Sequence, residues 1–118
     1  YCLGADGYGI TTLTKTGYKL PYIAPGDGYV YHNGGTSFVA PMISGAIAIL
    51  AEAFPNQSPE IWADRLLASA DNDWFTHNGG AVTFGNGIQH GYSTTYGHGI
   101  LDIYAAGEKN IQFFKKNY

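Results

Sequence analysis

The longest apolar run in the chain goes from Phe38 to Ala51 and is broken by one polar side chain, Ser44. Small residues recur in it at Ala40, Ser44, Gly45, Ala46, Ala48 and Ala51. The alanines and leucine favour helix, and a helix apolar on every side is a buried one. The small side chains would let neighbouring elements approach its backbone. The run falls short of the roughly 20 apolar residues that cross a bilayer, so no membrane span is expected here. Before it, residues 1–33 are punctuated by Gly4, Gly7, Gly9, Gly17, Gly26 and Gly28, with Pro21 and Pro25. Within that segment Ile10 to Leu13 and Tyr29 to Tyr31 read as short strands.

After it, Pro55 stops the helix, because the residue before proline avoids the helical region. Ser58, Pro59 and Glu60 then supply an N-cap, a first-turn proline and an acid suited to a second helix running to about Ala70. Ile61, Trp62, Leu66 and Leu67 form its apolar face, with Asp64 and Arg65 expected to turn outward. Residues 71–95 are polar and glycine-rich. Val82 to Gln89 predicts a hairpin turning at Asn86-Gly87. Asp102 is placed to cap a short helix that Gly107 would end. The tail, 108–118, is amphipathic and is expected to pack on the domain or to lead into a further segment.

With 118 residues the chain is one domain at most. A net charge of −3 argues against nucleic acid as a partner. Charged residues make up only 13 %, with 17 glycines and 10 tyrosines, which suits a loop-rich, secreted-type surface. The single cysteine, Cys2, cannot form an internal disulfide. Residue 1 is Tyr, and no basic start leads into an apolar run, so no signal peptide is visible. The chain is expected to continue a sequence that starts elsewhere.

Candidate chemistry lies where the apolar run begins. Thr36 and Ser37 follow Gly34-Gly35, and Pro41 falls in or near the first helical turn, where a missing N–H costs little. A helix start presents unpaired N–H groups and partial positive charge, which could stabilise an oxyanion forming beside a serine oxygen. The plain alternative is that Ser37 or Thr36 is only an N-cap.

Gly35-Thr36-Ser37-Phe38-Val39-Ala40-Pro41-Met42-Ile43-Ser44-Gly45-Ala46 closely resembles the nucleophile motif of subtilisin-like serine proteases, the subtilases. Tyr96-Gly97-His98-Gly99-Ile100-Leu101-Asp102-Ile103-Tyr104-Ala105-Ala106 resembles the closing motif of the same family, in the expected order. The resemblance implies an α/β, three-layer fold whose buried central helix starts at the nucleophile. Residues 1–107 would be its C-terminal part, with 71–95 an insertion loop or hairpin. It implies Ser37 as nucleophile, Thr36 beside the oxyanion hole, and Gly34 and Gly35 bordering the bound substrate. It also implies a secreted, surface or periplasmic serine endopeptidase acting on peptide or protein substrates.

The family's Ala-Pro-Gly turn has two candidates, Ala24-Pro25-Gly26 and Ala5-Asp6-Gly7. The second, within Cys2 to Gly7, is favoured, and it makes residues 13–33 a loop flanking the cleft. The family's Asp and His motifs do not occur here. Asp6-Gly7 and Asp27-Gly28 are followed by Tyr, and His90-Gly91 by Tyr-Ser. The triad Asp and His, and the oxyanion Asn, are therefore expected from the upstream half of the same chain, and this segment alone is expected to be inactive. His32, five residues before Ser37, is read as a loop residue, because triad members come from separate elements. His98 is read as structural. A non-catalytic subtilase domain serving as a binding or scaffold module is the alternative. No cofactor is required. Some subtilases bind calcium, but no stretch here resembles a calcium loop. Asp71, Asp73, His77 and His90 match no metal-ligand spacing and are read as a solvated loop.

Overall fold

The computed structural model describes residues 2–13, 28–84 and 87–108. The chain divides into two compact units, Asp6–Pro41 and Tyr1–Ala5 with Met42–Tyr118.

In the unit Asp6–Pro41, β1 (Tyr8–Leu13) pairs antiparallel with β2 (Tyr29–Gly34). Both β-prone runs are thus strands, longer than their apolar cores. Of the loop expected over 13–33, residues 14–27 lie outside the described residues, and its end is corrected: residues 29–34 are a paired strand in register with 8–13, Ile10 opposite His32 and Thr12 opposite Val30. Backbone pairing over this length satisfies donors that a loop would leave to water. The Ala24-Pro25-Gly26 candidate lies outside the described residues. Asp6-Gly7 opens β1, with the Asp6 carboxylate accepting from the Tyr8 N–H at 2.9 Å, a local turn that asparagine and aspartate favour.

A 3₁₀ turn, Thr36–Phe38, passes directly into α1, Val39–Ala53. Together they make 18 helical residues, Thr36–Ala53, with a mean hydropathy of 1.5. By length and composition alone that stretch is long enough to cross a membrane, where the sequence reading counted fewer residues. Such a helix equally suits a protein core. Only Ala46 and Leu50 of α1 are buried, and Ile49 is 58 % exposed. A β-carbon added at Gly45 would meet nothing within 4 Å. The helix therefore buries one stripe among the described residues rather than every side.

The core of the other unit joins Ala46 and Leu50 to Leu66 and Ala106, with Ile43, Ile47, Phe54 and Trp62 packed around them. Here α2 (Pro59–Ala68) and α3 (Ile103–Gly107) lie against each other. Ser58 occupies the N-cap position of α2, but its hydroxyl donates to Glu60 Oε2 at 2.9 Å instead of capping the backbone. Asp102 caps α3 as expected, accepting from the Ala105 N–H at 2.9 Å. Arg65 corrects the outward expectation: it is 3 % exposed. Its Nε donates to Gln57 Oε1 at 2.8 Å and its Nη1 to the Ala106 carbonyl at 3.1 Å. The guanidinium sits 3.7 Å from the Phe54 ring centre. A planar, many-armed cation can meet a carbonyl, an amide and an aromatic face together, which helical periodicity does not register.

The predicted hairpin is β3 (Gly80–Thr83) paired antiparallel with β4 (Gln89–Tyr92). Its tip at Gly85-Asn86 lies outside the described residues. Cys2 to Leu101 contains a parallel bridge, Gly4 with Ile100, and Asp71 pairs with Ile100 from the other side. Gly99, at φ +116°, lets that crossing close, since a β-carbon there would run into the Asp71 carbonyl.

Candidate active site at the mouth of the first helix

β2 ends at Gly34 and the chain turns through Gly35 into Thr36 and Ser37. Gly34 has φ +130°, and an added β-carbon would strike the Gly7 carbonyl. The neighbouring Gly35 N–H donates to that same carbonyl at 2.9 Å. Gly7 is equally confined, because a β-carbon on it would lie 3.0 Å from both the Gly35 oxygen and Val39 Cγ2. Two backbone segments therefore meet without side chains between them, and this fixes the direction in which the chain enters the helix. Gly7 was not singled out as a site residue by sequence. Its signal, a glycine before a β-prone run, is shared with many ordinary turns.

Gly34, Gly35, Thr36 and Ser37 are all exposed. Gly35 holds the cap position of the 3₁₀ turn, and no side chain caps it. The N-cap reading of Ser37 or Thr36 is thus replaced by a glycine cap. The Phe38 N–H goes to the Gly35 oxygen at 3.1 Å and the Val39 N–H to the Thr36 oxygen. Among the described residues the Ser37 N–H has no backbone partner, as expected for the first donors of a helix. Ser37 thus presents an accessible hydroxyl and an unclaimed donor at the positive end of a helical stretch of 18 residues.

His77, His90 and His98 belong to the other unit. His32 is in β2, opposite Ile10. His98 is 3 % exposed, its ring packed near Phe84, His90 and Tyr92. His90 Nδ1 lies 3.2 Å from His98 Nδ1, and His90 Nε2 lies 3.2 Å from the Ala70 carbonyl. Burial holds both imidazoles below the usual histidine range, and for His98 the neighbouring His90 adds to it. His98 joins none of the spacings among Asp71, Asp73, His77 and His90, because it lies eight positions beyond His90, past the end of β4 and a turn.

No curated protein and no solved structure matches the chain. A family model described as the subtilase family, Peptidase S8, matches residues 1–107. Both motifs and the turn that presents Ser37 fall inside that match, and the chain belongs to the subtilase family, a serine peptidase lineage.

Proposed function

We propose that this chain carries the nucleophile of a serine endopeptidase, with Ser37 as the attacking residue. The observation that supports it best is the accessible Ser37 hydroxyl on a glycine-defined turn at a helix start. In this reading Ser37 Oγ loses its proton to a histidine supplied by upstream chain and attacks the scissile carbonyl. An aspartate, also from upstream, orients that histidine. The Ser37 N–H and an upstream asparagine hold the oxyanion, with Thr36 assisting. Water then hydrolyses the acyl-enzyme. Gly34 and Gly35, lacking side chains, let substrate backbone come close. The substrate is a peptide or protein, met in a secreted, surface or periplasmic setting, with no cofactor in the chemistry.

The test is covalent labelling of the full-length protein with a fluorophosphonate probe. Ser37 is expected to be the modified residue, and Ser37→Ala to remove both labelling and peptide hydrolysis. A full-length protein that folds but resists the probe would favour the non-catalytic binding or scaffold role.

A further inference from the structure

We infer that Gly7 is a positioning residue for Ser37, bracing the chain on both sides of it and so setting where its N–H and hydroxyl stand. The inference rests on the reading of Ser37 as the nucleophile. Before Ser37, the Gly7 carbonyl accepts from the Gly35 N–H at 2.9 Å. After it, Val39 opens α1 and lays its side chain against Gly7. A β-carbon on Gly7 would stand 3.0 Å from Val39 Cγ2 and 3.0 Å from the Gly35 oxygen. The first distance is well inside the roughly 3.5–4.0 Å at which carbon atoms pack. The Gly35 oxygen in turn accepts from the Phe38 N–H at 3.1 Å, the bond that closes the turn around Ser37.

A side chain at position 7 therefore pushes on two places at once, the acceptor that closes the turn and the first residue of the helix. Neither yields easily. One is a backbone oxygen, and the other belongs to a β-branched residue whose rotamer a helix restricts. The segment between them, which carries Ser37, shifts instead. Gly7 is itself held. The Asp6 carboxylate accepts from the Tyr8 N–H at 2.9 Å, a turn that spans Gly7. Tyr8 is then paired with Gly34 across the two strands. All of these residues belong to the unit Asp6–Pro41. A misplacement of about 1 Å at a reacting group costs on the order of a hundredfold in rate. A smaller shift of the Ser37 N–H acts on the oxyanion, which forms only as the reaction proceeds, more than on the bound substrate. The loss therefore falls on kcat rather than on KM.

The test uses the full-length protein, with peptide hydrolysis, fluorophosphonate labelling and the thermal midpoint measured on each variant. Gly7→Ala is expected to lower kcat at least about tenfold while KM stays within about twofold, in protein still folded at the assay temperature. Adding Val39→Ala, which removes one of the two collisions, is expected to recover part of that loss. Asp6→Ala loosens the turn over Gly7 without adding bulk, and serves if Gly7→Ala does not fold. It is expected to lower kcat at constant KM, and Asp6→Asn, which keeps the acceptor oxygen, to restore it. An unchanged kcat in folded Gly7→Ala, a loss carried by KM, or, where Gly7→Ala does not fold, equal kcat in Asp6→Ala and Asp6→Asn overturns the inference. Those outcomes leave labelling of the unaltered protein intact. A folded, unaltered protein that resists the probe overturns the nucleophile reading and this inference with it.

Discussion

Gly34 shows how much a single position decides. Its φ of +130° and the Gly7 carbonyl where a side chain would start leave no room for alanine. Gly34→Ala is expected to destabilise the fold by about 1–3 kcal/mol, read as a lower thermal midpoint. It is also expected to lower the rate of fluorophosphonate labelling at Ser37 in the full-length protein, because the strand-to-helix entry shifts. Gly45→Ala is the contrasting control. A β-carbon there meets nothing within 4 Å among the described residues, so a gain of about 0.5–1 kcal/mol is expected from the better helix former, measured in the same way.

Among the elements, α2 carries the main polar staple. Arg65 links it to Gln57, to the Phe54 face and to the last turn of α3 through the Ala106 carbonyl. Arg65→Ala removes charge-assisted bonds and leaves a buried carbonyl unpaired, a loss of roughly 2–4 kcal/mol, measurable by denaturant unfolding. Asp102→Ala removes the α3 cap and is expected to cost about 1 kcal/mol. Asp64 should behave in the opposite sense. Burial and then the nearby Glu60 push its carboxyl above the usual carboxylate range. A group whose folded pKa is raised opposes folding once it ionises, so the penalty is present at neutral pH and fades as pH falls through that range. Asp64→Asn is therefore expected to raise the thermal midpoint slightly at neutral pH, by the few tenths of a kcal/mol typical of a like-charged pair four apart. In acid, where the carboxyl is protonated in either state, the two proteins are expected to converge.

At the scale of the whole molecule, the catalytic proposal needs more than this chain describes. Ser37 sits in one unit, while His77, His90 and His98 belong to the other. Without a base a serine hydroxyl is a weak nucleophile at neutral pH. The 118-residue chain by itself is therefore expected to hydrolyse no peptide above the level of its Ser37→Ala form, measured with a fluorogenic substrate. Measurable Ser37-dependent turnover would mean that a base lies within the chain, with His32, in the same unit, the first to replace.

The sequence by itself determined the features written in local chemistry. The glycine-glycine entry, Thr36 and Ser37 at a helix start, Pro55 ending α1, Asp102 capping α3 and the 82–89 hairpin all depend on neighbours a few residues away, so spacing reveals them. The family followed from two such local motifs in order. Tertiary structure alone decided the rest, because it depends on groups distant in sequence. Helical periodicity turned Arg65 outward, yet Ala106, 41 positions away, supplies a carbonyl that draws it in. An apolar helix implied burial on every side, but burial needs partners, and the described residues cover one stripe of α1. The pairing of His90 with His98 follows from a reversal of the backbone that no ligand spacing encodes.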